Sequence, residues 1–362
     1  MLLDAPPLAA SAAGLVVRSS VDVLYGGRTV AAGVPVGEGS LICQADQDVP
    51  ERVDLSLPGE WGGITLDPGR GGVLGALGHR VQLWVEQSTP DGSRRWRQPR
   101  GRFIVHEWQR DGAGVRLAGR GLLQAVVDRQ RARPYAAGRP SPISGEVLSI
   151  LALCGLEGWL DPRLSVGRRV PADFVQGEDV WAAFTELLTA WPARARMDGH
   201  GAIRLLPGLP ADLPAPDVWW HDGQGGTVVG APSEGTRDGA FSHVIVKVRP
   251  EDDDVVVPPV EDWVRRGPLN VDTFGWVSRV IESDAVTTTA QAEAVAANEL
   301  ARAGVRAKTV PVEMVPDYRV ELDDVAHVAT GDGVKEVGRV TGIELPLVAT
   351  GGTARADVGV VA

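Results

Sequence analysis

With 362 residues, 44% of them hydrophobic and 23% charged, the chain is long enough for two or three domains with real cores and too apolar for general disorder. A formal net charge of −11 argues against a large nucleic-acid-binding surface, although an acidic wall would let nucleic acid slide past without sticking. Cys43 and Cys154 are the only cysteines and lie outside any C-x-x-C, which argues against a disulfide framework, a zinc site or a cysteine-ligated cluster.

Residues 1–16 read as an arm. Asp4 stands where an export signal carries positive charge, and Pro6-Pro7 breaks the apolar run, so the arm is not read as a signal peptide. No apolar run approaches the ~20 residues of a membrane span. From Leu15 the pattern turns to period two, with LVVRSSVDVLYGG, a Gly26-Gly27 turn, RTVAAGVPVGEGSLICQ, and VDLSLP, in which Val53, Leu55 and Leu57 alternate. A Gly-rich connection, EWGGITLDPGRGGVLGALG, leads to the stretch from His79 to Asp128. There HRVQLWVEQ places Val81, Leu83 and Val85 on one face. The turn segment STPDGSRRWRQPR, then GRFIVHEWQ, an Asp111-Gly112 turn and GVRLAG follow. GLLQAVVD closes it as a short helix with Leu122, Leu123 and Val126 on one side. Residues 17–128 are thus expected to form a first β-barrel-like domain.

Residues 129–207 change character. After a basic, proline-bearing linker, SGEVLSILALCGLEG predicts a helix capped by Ser144 with Val147, Leu148, Leu151 and Leu156 inward. A second helix begins after Gly177, with Val180, Phe184, Leu187 and Leu188 inward and Pro192 near its end. GAIRLLP, from Gly201 to Pro207, predicts a strand, giving a small α/β domain. Residues 208–239 are a connector rich in Pro, Gly and Asp. Residues 240–362 are expected to form a second β-barrel-like domain. It opens with AFSHVIVKVRP, where Val244, Val246 and Val248 share one face and Phe241, Ile245 and Lys247 the other. FGWVSRVIESD predicts another strand. An Ala-rich helix is expected over about 287–304, ended by Gly304, before β-structure resumes at KTVPVEMVP. The fold class expected is mainly β with α+β.

The last forty or so residues echo the stretch from His79 to Asp128. Val325 and Val328 take the place of Val81 and Leu83, Gly338-Arg339-Val340 that of Gly101-Arg102-Phe103, and Gly351-Gly352 that of the Asp111-Gly112 turn. The pattern predicts one β-unit used twice.

No motif selects a chemistry. His79, His106, His200, His221, His243 and His327 make no H-E-x-x-H or other close pair. The run Glu251-Asp252-Asp253-Asp254 lacks the spaced ligands and glycine of an EF-hand loop and reads as a solvated hairpin tip. G-x-S-x-G, the Walker motif and G-x-G-x-x-G are all missing, and the Gly-rich GRGGVLGALG carries no lysine to cradle phosphate. No catalytic, cofactor-binding or metal-binding residue is therefore selected, and no cofactor is expected. Trp61, Trp84, Trp96, Trp108, Trp219 and Trp220 lie on or beside the β-units. Indole faces stack on sugars, but tryptophan is also enriched at protein interfaces. Trp84 and Trp108 fall opposite the apolar faces of their strands and are expected to be buried against a neighbouring subunit.

The order of elements resembles the hub protein of phage tail tips: a β-unit ending in a Gly-rich strand and an apolar helix, an α/β insertion, then a second β-unit interrupted by an Ala-rich helix. That family comprises the baseplate hubs of contractile phages and the N-terminal hub regions of tail-associated proteins of long non-contractile tails. The resemblance implies a non-enzymatic virion protein forming a homotrimeric, pseudo-sixfold ring. Its partners would be the distal tail protein or tail tube protein on one side and tip or fibre proteins on the other. Genomic DNA would pass through its lumen without specific binding, and assembly would take place in the host cytoplasm. Cations that are nearly all Arg, with Lys247, Lys308 and Lys335 the exceptions, point to a GC-rich, for instance actinobacterial, host. The alternative is a receptor- or cell-wall carbohydrate-binding minor tail protein. A hydrolase would need a catalytic pair that the sequence does not offer.

Overall fold

The computed structural model describes residues 6, 14–210, 212–232, 234–235, 237, 239–249, 257–306, 308–348 and 352–360. Most of the N-terminal arm, the acidic run Glu251–Asp254 and Gly351 of the proposed second turn lie outside the described residues.

The first half follows the period-two pattern closely. Strands β1 (Val16–Tyr25), β2 (Arg28–Pro35), β3 (Glu38–Gln44), β4 (Glu51–Pro58), β5 (His79–Ser88), β6 (Arg95–Asp111) and β7 (Gly114–Gly121) form one antiparallel sheet in the order β2-β1-β5-β6-β7-β4-β3. Gly26 and Gly27 turn β1 into β2 at φ 57° and 79°, the left-handed pair that a tight hairpin needs. Val81, Leu83 and Val85 are buried, as are Val53, Leu55 and Leu57. Each such burial contributes about 1.5–3 kcal/mol.

The chain then leaves the sheet. A one-turn helix, α1 (Gln124–Val127), is followed by α2 (Ile143–Leu153), β8 (Gly158–Leu160), α3 (Val180–Ala190), β9 (Ala193–Met197) and β10 (Ile203–Pro207). Strands β8, β10 and β9 make a three-stranded sheet in that order. Helix α3 is capped by Asp179, whose carboxylate accepts from Ala182 N–H at 3.0 Å. Helix α2 is not capped by Ser144 as the sequence suggested. Pro142 occupies the cap with φ −61°, preset for helix entry, and Ser144 is buried inside the first turn.

After β11 (Val218–His221) and β12 (Val228–Gly230) come β13 (His243–Lys247), β14 (Val260–Trp263), the one-turn α4 (Val271–Phe274), β15 (Ser278–Glu282) and α5 (Thr289–Arg306). Helix α5 starts with a capping box. Gln291 N–H donates to the Thr288 hydroxyl at 3.3 Å, and the Gln291 side-chain oxygen accepts from Thr288 N–H at 3.2 Å. The helix runs through Gly304 to Arg306 instead of ending at the glycine. Val244, Val246 and Ile281 of the β14-β13-β15 sheet, and Ala292, Val295, Ala296 and Ala303 of α5, share one apolar core with Val147, Ile150, Phe184, Leu187, Ile203 and Leu205.

The chain ends in β16 (Lys308–Met314), β17 (Val325–Ala329), β18 (Lys335–Pro346) and β19 (Ala354–Val360). The meander β17-β18-β19 has the same antiparallel connectivity as β5-β6-β7. The proposed equivalence of Val325 and Val328 is corrected. Three residues apart in a strand, they lie on opposite faces, and Ala326 joins Val328 in the core instead. The long β18 pairs with β17 through Lys335–Arg339 and with β3 through Gly342–Pro346, while β19 runs along its other edge. This strand welds both β-units into one 14-stranded sheet with a continuous core from Val21 to Val360.

Candidate assembly surfaces

Two regions carry the side chains that could act on anything else: the seam between the sheet and the α/β body, and the outer faces. At the seam, the β9–β10 turn is plugged into the first meander. Gly101 breaks the alternation of β6 at φ 117°, and its N–H donates to Gly199 O at 2.9 Å. The Gln82 side chain donates to Gly101 O at 3.0 Å and Gly199 O at 2.7 Å. A Cβ on Gly199 would lie 2.4 Å from Pro99 O, so the approach demands glycine.

Next to this plug Asp323 receives Arg196 Nε at 3.0 Å and also pairs with Arg194. Asp323 holds φ 74°, the one positive-φ non-glycine among the described residues. Burial pushes its carboxyl up, but Arg196 and Arg194 outweigh that and hold it below the ordinary range. Burial pushes Glu51 up, and it pushes Asp324 up to about 6. Arg100 ties in the segment before Asp323 by donating to Tyr318 O at 2.8 Å and Val320 O at 3.2 Å.

Crevices of ≈ 610 Å³ and ≈ 440 Å³ flank the network, and both are lined by Arg194, Arg196, Asp323 and Arg339. Asp323 pairs with Arg194 and Arg196, and Arg339 donates to the backbone oxygens of Asp323 and Pro210 at 3.4 Å. Cys43, in the smaller crevice, has its thiol pushed up to about 12, first by burial and then by Glu51, and is a poor nucleophile at neutral pH. The seam is built as a lock.

The six tryptophans singled out from the sequence separate. Trp220 is fully buried in the sheet core. Trp84, half-buried, is held by contacts within its own chain. Its indole N–H donates to Asp22 at 2.8 Å, Arg97 lies over the ring at 4.1 Å, and His200 of the plug meets it edge-on at 6.0 Å. The placement of Trp108 opposite the apolar face of its strand is corrected. A bulge between Val105 and Glu107 shifts the alternation, so Trp108 faces Leu117 and packs on the sheet core. Trp61 is exposed and donates to Ala32 O at 3.1 Å, covering part of the β2 edge. Trp96 is half-buried. Trp219, 56% exposed on β11, stacks with His327 at 4.4 Å.

Among the described residues, strands β2, β11 and β12 each pair on one side only and are edges of the main sheet. Val229 stands exposed on β12 and Val315 just beyond β16. The histidines are scattered, and among the described residues no group of three or more His, Cys, Asp or Glu is placed to hold a metal ion.

One surface escaped the sequence reading: the outer face of the β14-β13-β15 sheet. His243 lies opposite both Trp263 and Ser278, and Ile245 opposite both Glu261 and Val280, so these six share the face turned away from the core. Trp276, 61% exposed, folds over it, edge-on to His243 at 4.9 Å and 5.9 Å from Trp263. The available signal was the alternation of His243, Ile245 and Lys247 opposite the valines, but nothing local showed that Trp276 returns to cover it.

No protein-family model matches the sequence, and no curated protein does. Solved structures do match. A tail protein from Neisseria meningitidis MC58 aligns with a TM-score of 0.64 at 13% identity, over 94% of this chain and 96% of that one. A tail protein of prophage MuSo2 from Shewanella oneidensis aligns with a TM-score of 0.60, also at 13% identity, over 94% and 98%. A prophage tail protein from Listeria monocytogenes EGD-e aligns with a TM-score of 0.54 at 9% identity, over 94% of each chain. At these identities the likeness is one of architecture: nearly the whole chain, meanders and inserted α/β body together, has the fold of phage tail proteins.

Proposed function

We propose that the protein is a structural component of a phage tail tip, a hub whose copies close into a ring. The observation that carries this reading is the weld at β18. One chain presents two meanders of like connectivity on one continuous sheet, so three chains present six. Such a ring would match a sixfold tail tube on one side and a threefold tip or fibre on the other. The singly paired strands β2, β11 and β12, with Trp219 and Val229, are the surfaces suited to contacts between copies. The two β-units would form the ring, and the α/β body would sit against it through the Asp323 seam. Its partners would be the distal tail protein or tail tube protein above and tip or fibre proteins below. A chain of net charge −11 would give DNA a lumen to pass through without binding. The role is non-enzymatic and the location is the virion.

Electron-microscope class averages of the purified protein, with mass photometry on the same sample, test this. Threefold rings with an open centre at three times 38.3 kDa are expected, either for the protein alone or after mixing with its tail-tube neighbour. A chain that stays monomeric in both conditions would overturn it.

A further inference from the structure

We propose that the outer face of the β14-β13-β15 sheet is a saccharide-binding site, with Trp276 as its stacking platform and Glu261, Ser278 and His243 as its polar rim. The site is independent of ring formation.

The platform is prebuilt. Ser242, fully buried, donates from its hydroxyl to Gly275 O at 2.6 Å and accepts from Val277 N–H at 3.0 Å, which clamps the backbone on both sides of Trp276. Its indole is further fixed by the His243 ring at 4.9 Å and by Trp263 at 5.9 Å, tilted 49°. A ligand arriving there would order little that is not ordered already.

The polar rim has an unmet need. His243 is 5% exposed, and its Nδ1 is matched with the Ser278 hydroxyl at 2.9 Å. Its Nε2 has no hydrogen-bond partner; the nearest charged group is the Glu261 carboxylate at 3.5 Å, itself half-exposed. A buried polar atom left in this way calls for a reason. A hydroxyl that draws Glu261 or the ring toward itself would supply the missing partner.

The chemistry selects the ligand. Arg265 already lies over the Trp263 ring at 4.6 Å, so a cationic ligand would meet an occupied and repelling site. Lys247 pairs with Glu282 across the same face, and Glu261 and Arg265 flank the indoles, so the surface has both signs and favours a neutral ligand. The core of a protein–protein patch is depleted in charge, and this face is not. A pyranose has an apolar C–H face for the exposed indole and a rim of hydroxyls for carboxylate, imidazole and serine. An aromatic wall with a few placed polar groups is the general form of a small-ligand site.

The test is saturation-transfer NMR and calorimetry on the full chain with chitotetraose, maltotetraose and an arabinogalactan oligosaccharide. At least one should bind saturably. Trp276→Ala should weaken that binding at least tenfold, Trp276→Tyr should restore part of it, and Glu261→Gln should weaken it severalfold. Trp276 is 61% exposed and Glu261 half-exposed, so thermal unfolding should change little. Absence of saturable binding across all three probes would overturn the proposal, as would binding indifferent to Trp276→Ala. Loss of rings in Trp276→Ala without any sugar response would reassign the face to contacts between copies and also overturn it. Failure to form rings with sugar binding intact would refute the hub reading alone.

Discussion

Asp323→Asn is the sharpest probe of the seam. Asparagine keeps the size and tolerates the left-handed backbone at φ 74°, so the substitution removes charge and little else. In the native chain the Asp323 side chain is 11% exposed and faces Arg194 and Arg196 at 18% and 16%. Without the carboxylate, two adjacent and largely desolvated guanidinium groups lose their counter-charge, and Arg339 stands beside them. Breaking a buried pair by removing one partner costs about 3–5 kcal/mol. At about 2–4 °C per kcal/mol for a large domain, the melting temperature should fall by roughly 6–20 °C. Scanning calorimetry measures the shift, and hydrogen exchange over 193–207 should show the plug loosening first. The triple variant Arg194→Leu, Arg196→Leu, Asp323→Asn should recover part of the loss, because two desolvated guanidinium groups go with their counter-charge, while Arg339 still loses the carboxylate beside it. A drop below 2 °C for Asp323→Asn would mean that the cluster is solvated and that the seam is held by the glycine contacts alone.

Four further outcomes follow from the packing. Gly199→Val should destabilise the seam by several kcal/mol and expose the 198–202 turn to proteolysis, since even a Cβ would stand 2.4 Å from Pro99 O. Leu345→Ala, opposite Leu41 in the β18–β3 weld and fully buried, should cost about 2–5 kcal/mol in chemical denaturation and loosen both β-units together. Gly304→Ala should stabilise by about 0.5–1 kcal/mol, because α5 continues through it; destabilisation would return it to the role of a cap. Asp324 has a folded value of about 6, above its unfolded one. Its contribution is therefore fully present below about pH 4 and lost as pH rises through 6, so wild type should lose stability across that window and Asp324→Asn should lose less.

Local order was legible in the sequence because it depends on neighbours along the chain. Period-two alternation placed β1 and β4 to β7, helical spacing placed α3, and the paired glycines placed the first turn. Errors arose where a single residue changes the phase. The bulge near His106 brought Trp108 onto the core, Pro142 displaced Ser144 from the cap, and Gly304 was absorbed into α5 under the packing of Ala296 and Ala303. The larger arrangement had no local signature. That β18 pairs with β3 from the other end of the chain follows from which apolar faces can be buried together. The same is true of the single core that joins the strands from His243 to Glu282 to α2 and α3. The seam shows this most clearly: Asp323 lies far along the chain from Arg194 and Arg196, and only folding removes all three from water together and pairs the carboxylate with both guanidinium groups.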